Sequence, residues 1–439
     1  MAGGNGAHEA RQIGAQAIVN TVRRILLINP TITKARHARF PLAVMSLAQA
    51  IEHRCATTII DGNVDRDFIA TARAAMTEQC FDAVCVTVMG GPQIPTAAAV
   101  SKAIRAISPN TPIIWGGYFP TICPIPSINA SFVDYVIRGQ GEEALVELLQ
   151  GIFAHDGARL EAIAGLTWRR DGTVVHNRDR VFTTAPLATS LPYERLENPT
   201  QYLGRTYLGR RTAGYQAALG CRFRCTFCGV ATMFRGKTAL PMAARLAQDL
   251  QTLKHGLGAD AIQFYDHNFF DREVDMVPLL EVLADIELPW WCFARSDALL
   301  NLSDATWKLV RKSRLRMAYI GAESPDDSLL REVRKGTRAD QTLAVVEKCR
   351  SNGVIPELSF MLAPPHDPEG QRKGHLNSSA RSSAFTPARR SCSTSIRHCR
   401  LPRTAHHYER RAQRAPFLTR MGDQLRFRKV STNGQRRIG

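Results

Sequence analysis

Apolar residues along this chain fall into two alternating kinds of run: short continuous blocks, and longer stretches where they recur every three or four positions. The first kind predicts buried strands and the second amphipathic helices, and their alternation predicts parallel strands joined by helical crossovers. Early in the chain the blocks run from Arg24 to Asn29, Thr57 to Asp61, Asp82 to Val88, Pro112 to Trp115 and Val133 to Ile137. Helical periods run from Leu42 to His53, Asp67 to Thr77, Thr96 to Ile107 and Glu142 to Phe153. Five short strands linked in this way predict a doubly wound, flavodoxin-like open sheet, whose ligand lies beyond the carboxyl ends of the strands.

A second alternation begins after residue 213. Ala217-Ala218-Leu219-Gly220 reads as the end of a strand, followed by a helix from about Pro241 to Lys254. Strands from Ala261 to Asp266, Trp291 to Ala294, Met317 to Gly321 and Glu357 to Leu362 then alternate with helices from Glu273 to Asp285, Asp304 to Lys312 and Gln341 to Ser351. This is the pattern of a partial (β/α) barrel. Polar residues stand where its strands stop: Asp266, His267 and Asn268, then Arg295 and Asp297, then Glu323 and Ser324. In a barrel those ends share one mouth. Between the two α/β regions, Leu160 to Phe182 reads as turn-rich antiparallel segments with Asp171-Gly172 as a hairpin signal, Pro186 to Tyr202 as a linker, and Leu203 to Ala213 as a stretch threading along the barrel. The expected division is a loose extension over 1–22, a doubly wound domain over 23–155, a turn-rich linker over 156–213, a barrel over 214–370 and a basic tail over 371–439.

The formal net charge of +18 belongs mostly to that tail, which holds 17 Lys+Arg against 2 Asp+Glu and so leaves the preceding residues near neutrality. No global basic field is available to attract nucleic acid, and none is expected as a partner. The tail interrupts every helical or strand period and reads as disordered. The barrel pattern breaks after Ala363-Pro364-Pro365-His366-Asp367-Pro368-Glu369-Gly370, no sixth strand is expected beyond it, and a change of reading frame near Gln371 is the expected cause. A genuine basic tail for RNA or an anionic membrane is the alternative. No apolar run reaches ~20 residues, so no transmembrane segment is expected, and Met1 to Gln16 lacks the apolar core of a secretion signal. Eleven cysteines without such a signal point to a reducing cytoplasm.

Three of those cysteines carry the chemistry. Cys221-Arg222-Phe223-Arg224-Cys225-Thr226-Phe227-Cys228 is a CxxxCxxC run in an expected strand-to-helix loop. Three thiolates suit a cubane iron-sulfur cluster with one iron left open for a small molecule. A structural zinc site is the rival reading; it needs a fourth ligand, and His255 or His267 would have to supply it. The spacing, with Phe227 just before the last cysteine, resembles the signature loop of the radical S-adenosylmethionine (radical SAM) enzymes. That resemblance implies a 4Fe-4S cluster on Cys221, Cys225 and Cys228 that binds SAM at its open iron and cleaves it reductively to a 5'-deoxyadenosyl radical. It further implies an external electron donor such as flavodoxin or ferredoxin. Ile320-Gly321-Ala322-Glu323-Ser324 resembles the family's fourth-strand motif, which places Glu323 near the ribose. Asp266 and His267 stand where members contact the methionine amino group, Arg295 where a guanidinium would face its carboxylate, and Phe227 where it would pack over cluster or adenine, or simply in the core. Ala363-Pro364-Pro365 stands where the family has an adenine contact.

The first domain has its own glycines at strand ends: Met89-Gly90-Gly91-Pro92, Gly116-Gly117 and Gly139-Gln140-Gly141-Glu142. By themselves they mean tight turns or close backbone approach to something large. With the run Val133-Asp134-Tyr135-Val136-Ile137-Arg138-Gly139-Gln140-Gly141-Glu142 ahead of the cysteine loop, the region resembles the cobalamin-binding domain of cobalamin-dependent radical SAM enzymes. The resemblance makes Met89, Gly90, Gly91, Gly116, Gly117, Gly139, Gly141 and Glu142 candidate cobalamin contacts. One departure stands out: Asp61-Gly62-Asn63-Val64-Asp65-Arg66 puts Asn63 where the cobalamin motif has its histidine, so no lower axial imidazole comes from that position. Methyl transfer to an unactivated carbon or phosphorus of a small molecule is the implied reaction. Radical rearrangement or cyclisation, and a truncated homologue that only binds cluster or corrin, are the alternatives.

Overall fold

The computed structural model describes residues 22–185 and 189–361 together with the backbone of Thr394–Arg397. The N-terminal extension up to residue 21, the Ala363-Pro364-Pro365 segment and the remainder of the tail, with its expected frame change, lie outside the described residues.

The first sheet has seven strands: β1 (Arg23–Asn29), β2 (Cys55–Asp61), β3 (Ala83–Thr87), β4 (Ile113–Gly116), β5 (Tyr135–Ile137), β6 (Leu166–Arg170) and β7 (Thr173–His176). Their spatial order is β2-β1-β3-β4-β5-β6-β7. The first five pair in parallel, which is the flavodoxin-like order, with its switch point between β1 and β3. Its apolar blocks exist because both faces of the sheet are covered. Leu26 and Ile28 of β1 pack with Phe68, Ala72, Ala97, Val100 and Ile104 from helices Phe68–Glu78 and Gln93–Ile107. Ile25 and Leu27 pack on the other side with residues of helices Leu42–Ile51 and Glu142–Ala154.

The division at residue 155 shifts. β6 and β7, expected within a separate linker, continue the first sheet antiparallel to β5. Asp171 and Gly172 both take positive φ, 48° and 80°, as a two-residue hairpin turn matched to strand twist requires. The linker from Pro186 to Tyr202 is likewise more than a tether: Leu191, Tyr193, Leu196 and Tyr202 are buried in one core with barrel residues. Phe40, from the loop after β1, lies 5.1 Å from the rings of both Tyr193 and Tyr202. Asp249, buried in the barrel's first long helix, accepts the Leu191 N–H at 3.2 Å and the Tyr215 hydroxyl at 2.6 Å.

The barrel strands are β8 (Thr212–Tyr215), β11 (Ala261–Phe264), β12 (Trp290–Ala294), β13 (Leu315–Glu323), β14 (Ile355–Met361) and β15 (Thr394–Arg397). They are all parallel, in the order β15-β14-β13-β12-β11-β8. A short antiparallel ribbon of β9 (Leu219–Gly220) and β10 (Thr238–Ala239) stands apart from them. The expected first strand ending at Gly220 therefore stops earlier, at Tyr215. The cause is Asp266, whose carboxylate accepts the N–H groups of Ala217 at 2.9 Å and Ala218 at 2.6 Å, taking the place of a strand ladder there. The sixth strand corrects the expectation of none. Thr394–Arg397 pairs with β14, Leu358 opposite Thr394 and Met361 opposite Arg397. An unpaired β14 edge leaves a row of backbone donors and acceptors open, and the backbone of four residues covers it although no apolar block announces them.

Two expectations about stability follow. Gly117 has φ +98°, and a Cβ there would lie 3.0 Å from the Val88 carbonyl and 3.2 Å from its nitrogen, whereas a Cβ on Gly90 meets nothing within 4 Å. Gly117→Ala is expected to cost about 1–3 kcal/mol and Gly90→Ala under about 0.5 kcal/mol, measured by urea unfolding; equal effects would contradict this placement. Burial pushes the Asp266 carboxyl up to about 7 against backbone N–H bonds from Ala217, Ala218 and Asp266 itself that pull it down. Because its folded value lies above the unfolded one, its contribution to stability is complete below about pH 4 and is lost as pH rises through about 7. Asp266→Asn should remove that part of the pH slope, and parallel slopes for the two proteins would refute it.

Candidate functional site

The cysteine loop is closed at its base by the β9/β10 ribbon, where Gly220 pairs with Thr238 and Leu219 with Ala239. Within it the Cys228 N–H bonds the Cys225 carbonyl at 3.1 Å, and helix Gly229–Phe234, absent from the sequence reading, follows directly. From the barrel side, the Thr226 N–H donates to the Val333 carbonyl at 3.0 Å. Phe227 packs with Leu329, Val333 and Met361, so its core role is present and the Lys335 ammonium stands 6.0 Å from its ring.

The loop fits a cluster. Cys225 is buried, and Cys221 and Cys228 are half-buried. Burial pushes the thiols of Cys221 and Cys228 up, while the Phe223 N–H at Cys221 and the Val230 and Ala231 N–H groups at Cys228 pull them down. Such donors stabilise thiolate sulfur bound to metal. Among the described residues no three His, Cys, Asp or Glu side chains converge closely enough to hold one metal ion. Of the two histidines that the zinc reading offers, His267 is engaged elsewhere: its Nε2 lies 2.8 Å from the Tyr118 hydroxyl. Burial holds His267 down at about 4, so it is neutral near pH 7.

Each remaining strand-end residue has an identifiable partner. Glu323 is buried and accepts a hydrogen bond from Lys335 Nζ at 2.8 Å, with its own backbone at φ 60°. Arg295 forks onto Asp297 at 2.9 and 3.0 Å, donates to the Lys335 carbonyl at 2.5 Å and points its third nitrogen at Cys225 Sγ, 3.8 Å away. Asp266 spends both oxygens on Ala217 and Ala218. Arg295, Glu323 and Phe227 thus gather at the cysteine loop, whereas Asp266 braces the segment leading into it.

The first domain presents its glycine rim to the same region. Met89 is exposed, and Gly90, Gly91 and Gly139 face open space, so three loops leave bare backbone for a large ligand. The Met89 loop is fixed by buried Gln93, which accepts the Met89 N–H at 2.6 Å and donates to the Pro30 carbonyl at 2.6 Å. Gly141 abuts Leu47 and Glu142 accepts the Ser46 hydroxyl at 2.7 Å, so these two tie the helices of one face together. Asn63 is structural: its carbonyl accepts the N–H groups of Ile32 and Thr33 and its amide donates to Asp61. The carboxyl-end loops of the first sheet meet the barrel mouth directly. Arg39 stacks 4.0 Å over Tyr265, and Tyr118, right after Gly116-Gly117, reaches His267 and lies against Gly229.

Tyr118, Phe223 and Lys335 are the site residues that sequence reasoning missed. Tyr118 follows a Gly-Gly pair and Lys335 precedes Gly336, but neither position has a spacing that marks it.

The B12 binding domain family model matches residues 28–149, and the Radical SAM superfamily model matches residues 215–378. An uncharacterized methyltransferase, PH0819, of Pyrococcus horikoshii is 22% identical over 339 residues, 74% of this chain and 70% of that protein. An anaerobic magnesium-protoporphyrin IX monomethyl ester cyclase of Synechocystis is 22% identical over 267 residues, 60% of this chain and 52% of the relative. Among solved structures, the radical SAM methyltransferase TsrM of Kitasatospora setae, with cobalamin and a [4Fe-4S] cluster bound, superposes with TM-score 0.67 at 18% identity over 89% of this chain and 75% of that one. The cobalamin-dependent radical SAM enzyme OxsB, with aqua-cobalamin and SAM bound, gives 0.66 at 16% identity over 90% and 55%. With a glycine-rimmed doubly wound domain facing a three-cysteine barrel loop, and both domain families matched in that order, this chain carries a B12 binding domain followed by a radical SAM domain.

Proposed function

We propose that the chain is a methyltransferase that adds a methyl group to an unactivated carbon or phosphorus of a small molecule, using SAM, a 4Fe-4S cluster on Cys221, Cys225 and Cys228, and cobalamin on the first domain. The observation that carries this reading is the meeting of the two rims: Tyr118, rooted in the Gly116-Gly117 turn, reaches His267 beside the cysteine loop. When bound, the cluster supplies reductive cleavage of SAM and the corrin supplies a transferable methyl group. The protein's own contribution is placement and exclusion of water.

In this reading, Glu323 holds the nucleoside diol, with Lys335 aiming its carboxylate through their 2.8 Å hydrogen bond. His267 is a neutral imidazole at the mouth that orients Tyr118, and Phe227 walls the loop with Leu329 and Val333. Asp266 acts indirectly, by fixing Ala217 and Ala218 ahead of Cys221. Met89, Gly90, Gly91, Gly117 and Gly139 would line the corrin side, Gly116, Gly141 and Glu142 shape the turns behind them, and Asn63 would offer the corrin no imidazole. Support comes from PH0819, described as a methyltransferase, and from TsrM, also solved with tryptophan substrate and a SAM analogue. Ring closure is the second reading, favoured by two anaerobic cyclases that match at 22% and 23% identity. A cytoplasmic location and a flavodoxin or ferredoxin as electron donor complete the proposal; among the described residues no helix is long and apolar enough to cross a membrane.

Anaerobically reconstituted protein should carry about four irons per chain and, given reductant, methyl-labelled SAM and a small-molecule extract, form 5'-deoxyadenosine and a labelled product. Alanine at Cys221, Cys225 or Cys228 should abolish both while cobalamin binding persists. Stoichiometric zinc without iron would overturn the reading, and turnover without label in the product would favour ring closure. Tyr118→Phe should keep both cofactors and SAM cleavage but lower labelled product about tenfold, the equivalent of ~1.4 kcal/mol for a buried hydrogen bond. A wild-type product rate in that variant would show that the Tyr118–His267 contact does not set the spacing of the two rims.

A further inference from the structure

We propose that Arg295 is a positioning residue for the cysteine loop, holding Cys225 against the barrel and placing a permanent positive charge at its sulfur, so that it raises the reduction potential of the cluster. This rests on the reading that the three cysteines hold a cluster.

Arg295 directly follows β12, and its side chain is only 5% exposed. Every nitrogen has a partner inside the protein: Nε and one terminal nitrogen fork onto Asp297, that terminal nitrogen also bonds the Lys335 carbonyl, and the other points to Cys225 Sγ. The plane of the guanidinium is covered as well, with Phe223 of the cysteine loop 3.6 Å from its carbon. One side chain therefore touches two residues of the loop while anchored to strand β12 and to the Val333–Lys335 segment, which itself bonds Thr226. A group so committed has little left to offer the methionine carboxylate.

Two physical consequences follow. A guanidinium is a cation in proteins, so Arg295 brings a full positive charge to the loop. Water is excluded around it, and a charge acts more strongly at low dielectric. When the cluster takes one electron from a reductant its negative charge grows by one, and a cation with an N–H directed at a ligand sulfur stabilises that reduced state. Lys335 is a second cation nearby, but its ammonium is paired with Glu323 at 2.8 Å. Asp297 offsets part of the Arg295 charge, while the N–H turned to Cys225 remains the direct link.

The test is a redox titration of the reconstituted protein, followed by electron paramagnetic resonance, for wild type, Arg295→Met and Arg295→Lys. At a fixed ambient potential, the reduced-to-oxidised ratio of the cluster should fall about tenfold in Arg295→Met, equivalent to about 59 mV for one electron, and by less in Arg295→Lys, which keeps the charge but loses the fork. Folded Arg295→Met with full iron content and a wild-type potential would overturn the proposal. Should Arg295→Met fail to fold or load, Arg295→Gln, which removes the charge but keeps polar contacts, decides: a lowered potential supports the role and an unchanged one overturns it. If wild type itself binds no cluster, the failure lies with the cysteine reading and is seen before any variant is compared.

Discussion

A loop that carries three thiols in eight residues cannot hold itself. Its single internal backbone bond joins Cys228 to Cys225, while fixing each residue costs about 1–2 kcal/mol of conformational entropy. The order has to come from outside. The β9/β10 ribbon pins its base, the Val333 carbonyl and Arg295 grip it from the barrel, and Tyr118 meets the helix that follows from the first domain. Everything else in the structure is arranged so that these anchors arrive at one place.

Two α/β units facing each other by their strand carboxyl ends satisfy that demand. Both folds keep their irregular, functional loops at that end, so facing them mouth to mouth encloses one region between two sets of loops. The contacts that set the arrangement are short and specific: Arg39 on Tyr265, Tyr118 on His267, and Phe40 between Tyr193 and Tyr202. The buried linker adds rigidity, since Asp249 ties Leu191 to Tyr215 across it. A flexible tether would leave the distance between the two rims to chance, and a group transferred between two cofactors needs that distance fixed.

Much of the site was legible because its members sit at marked positions: cysteines at fixed spacing, glycines after strands, polar residues where apolar blocks stop. Their partners were not. Arg295 and Cys225 lie 70 residues apart and Tyr118 and His267 149 apart, and no local pattern encodes such a pairing. Asp266 illustrates the point. Its place at a strand end was visible, but its work, replacing a ladder for Ala217 and Ala218, depends on β8 and β11 lying side by side. Glu142 likewise marks a helix start in the sequence and turns out to tie that helix to Ser46.

The fold class follows from the sequence because burial on both faces of a parallel sheet demands continuous apolar blocks, and crossovers demand helical periods between them. The hairpin at Asp171-Gly172 follows for a similarly local reason, a backbone twist that few residues accept. Folding in three dimensions decided what depends on meeting a distant surface. β6 and β7 joined the first sheet because β5 left an edge, Thr394–Arg397 joined the second because β14 left another, and the linker was buried because two domains closed over it. Backbone edges and desolvated charges are completed by whatever the fold brings near, and a linear pattern records only what each residue is, not what it will stand beside.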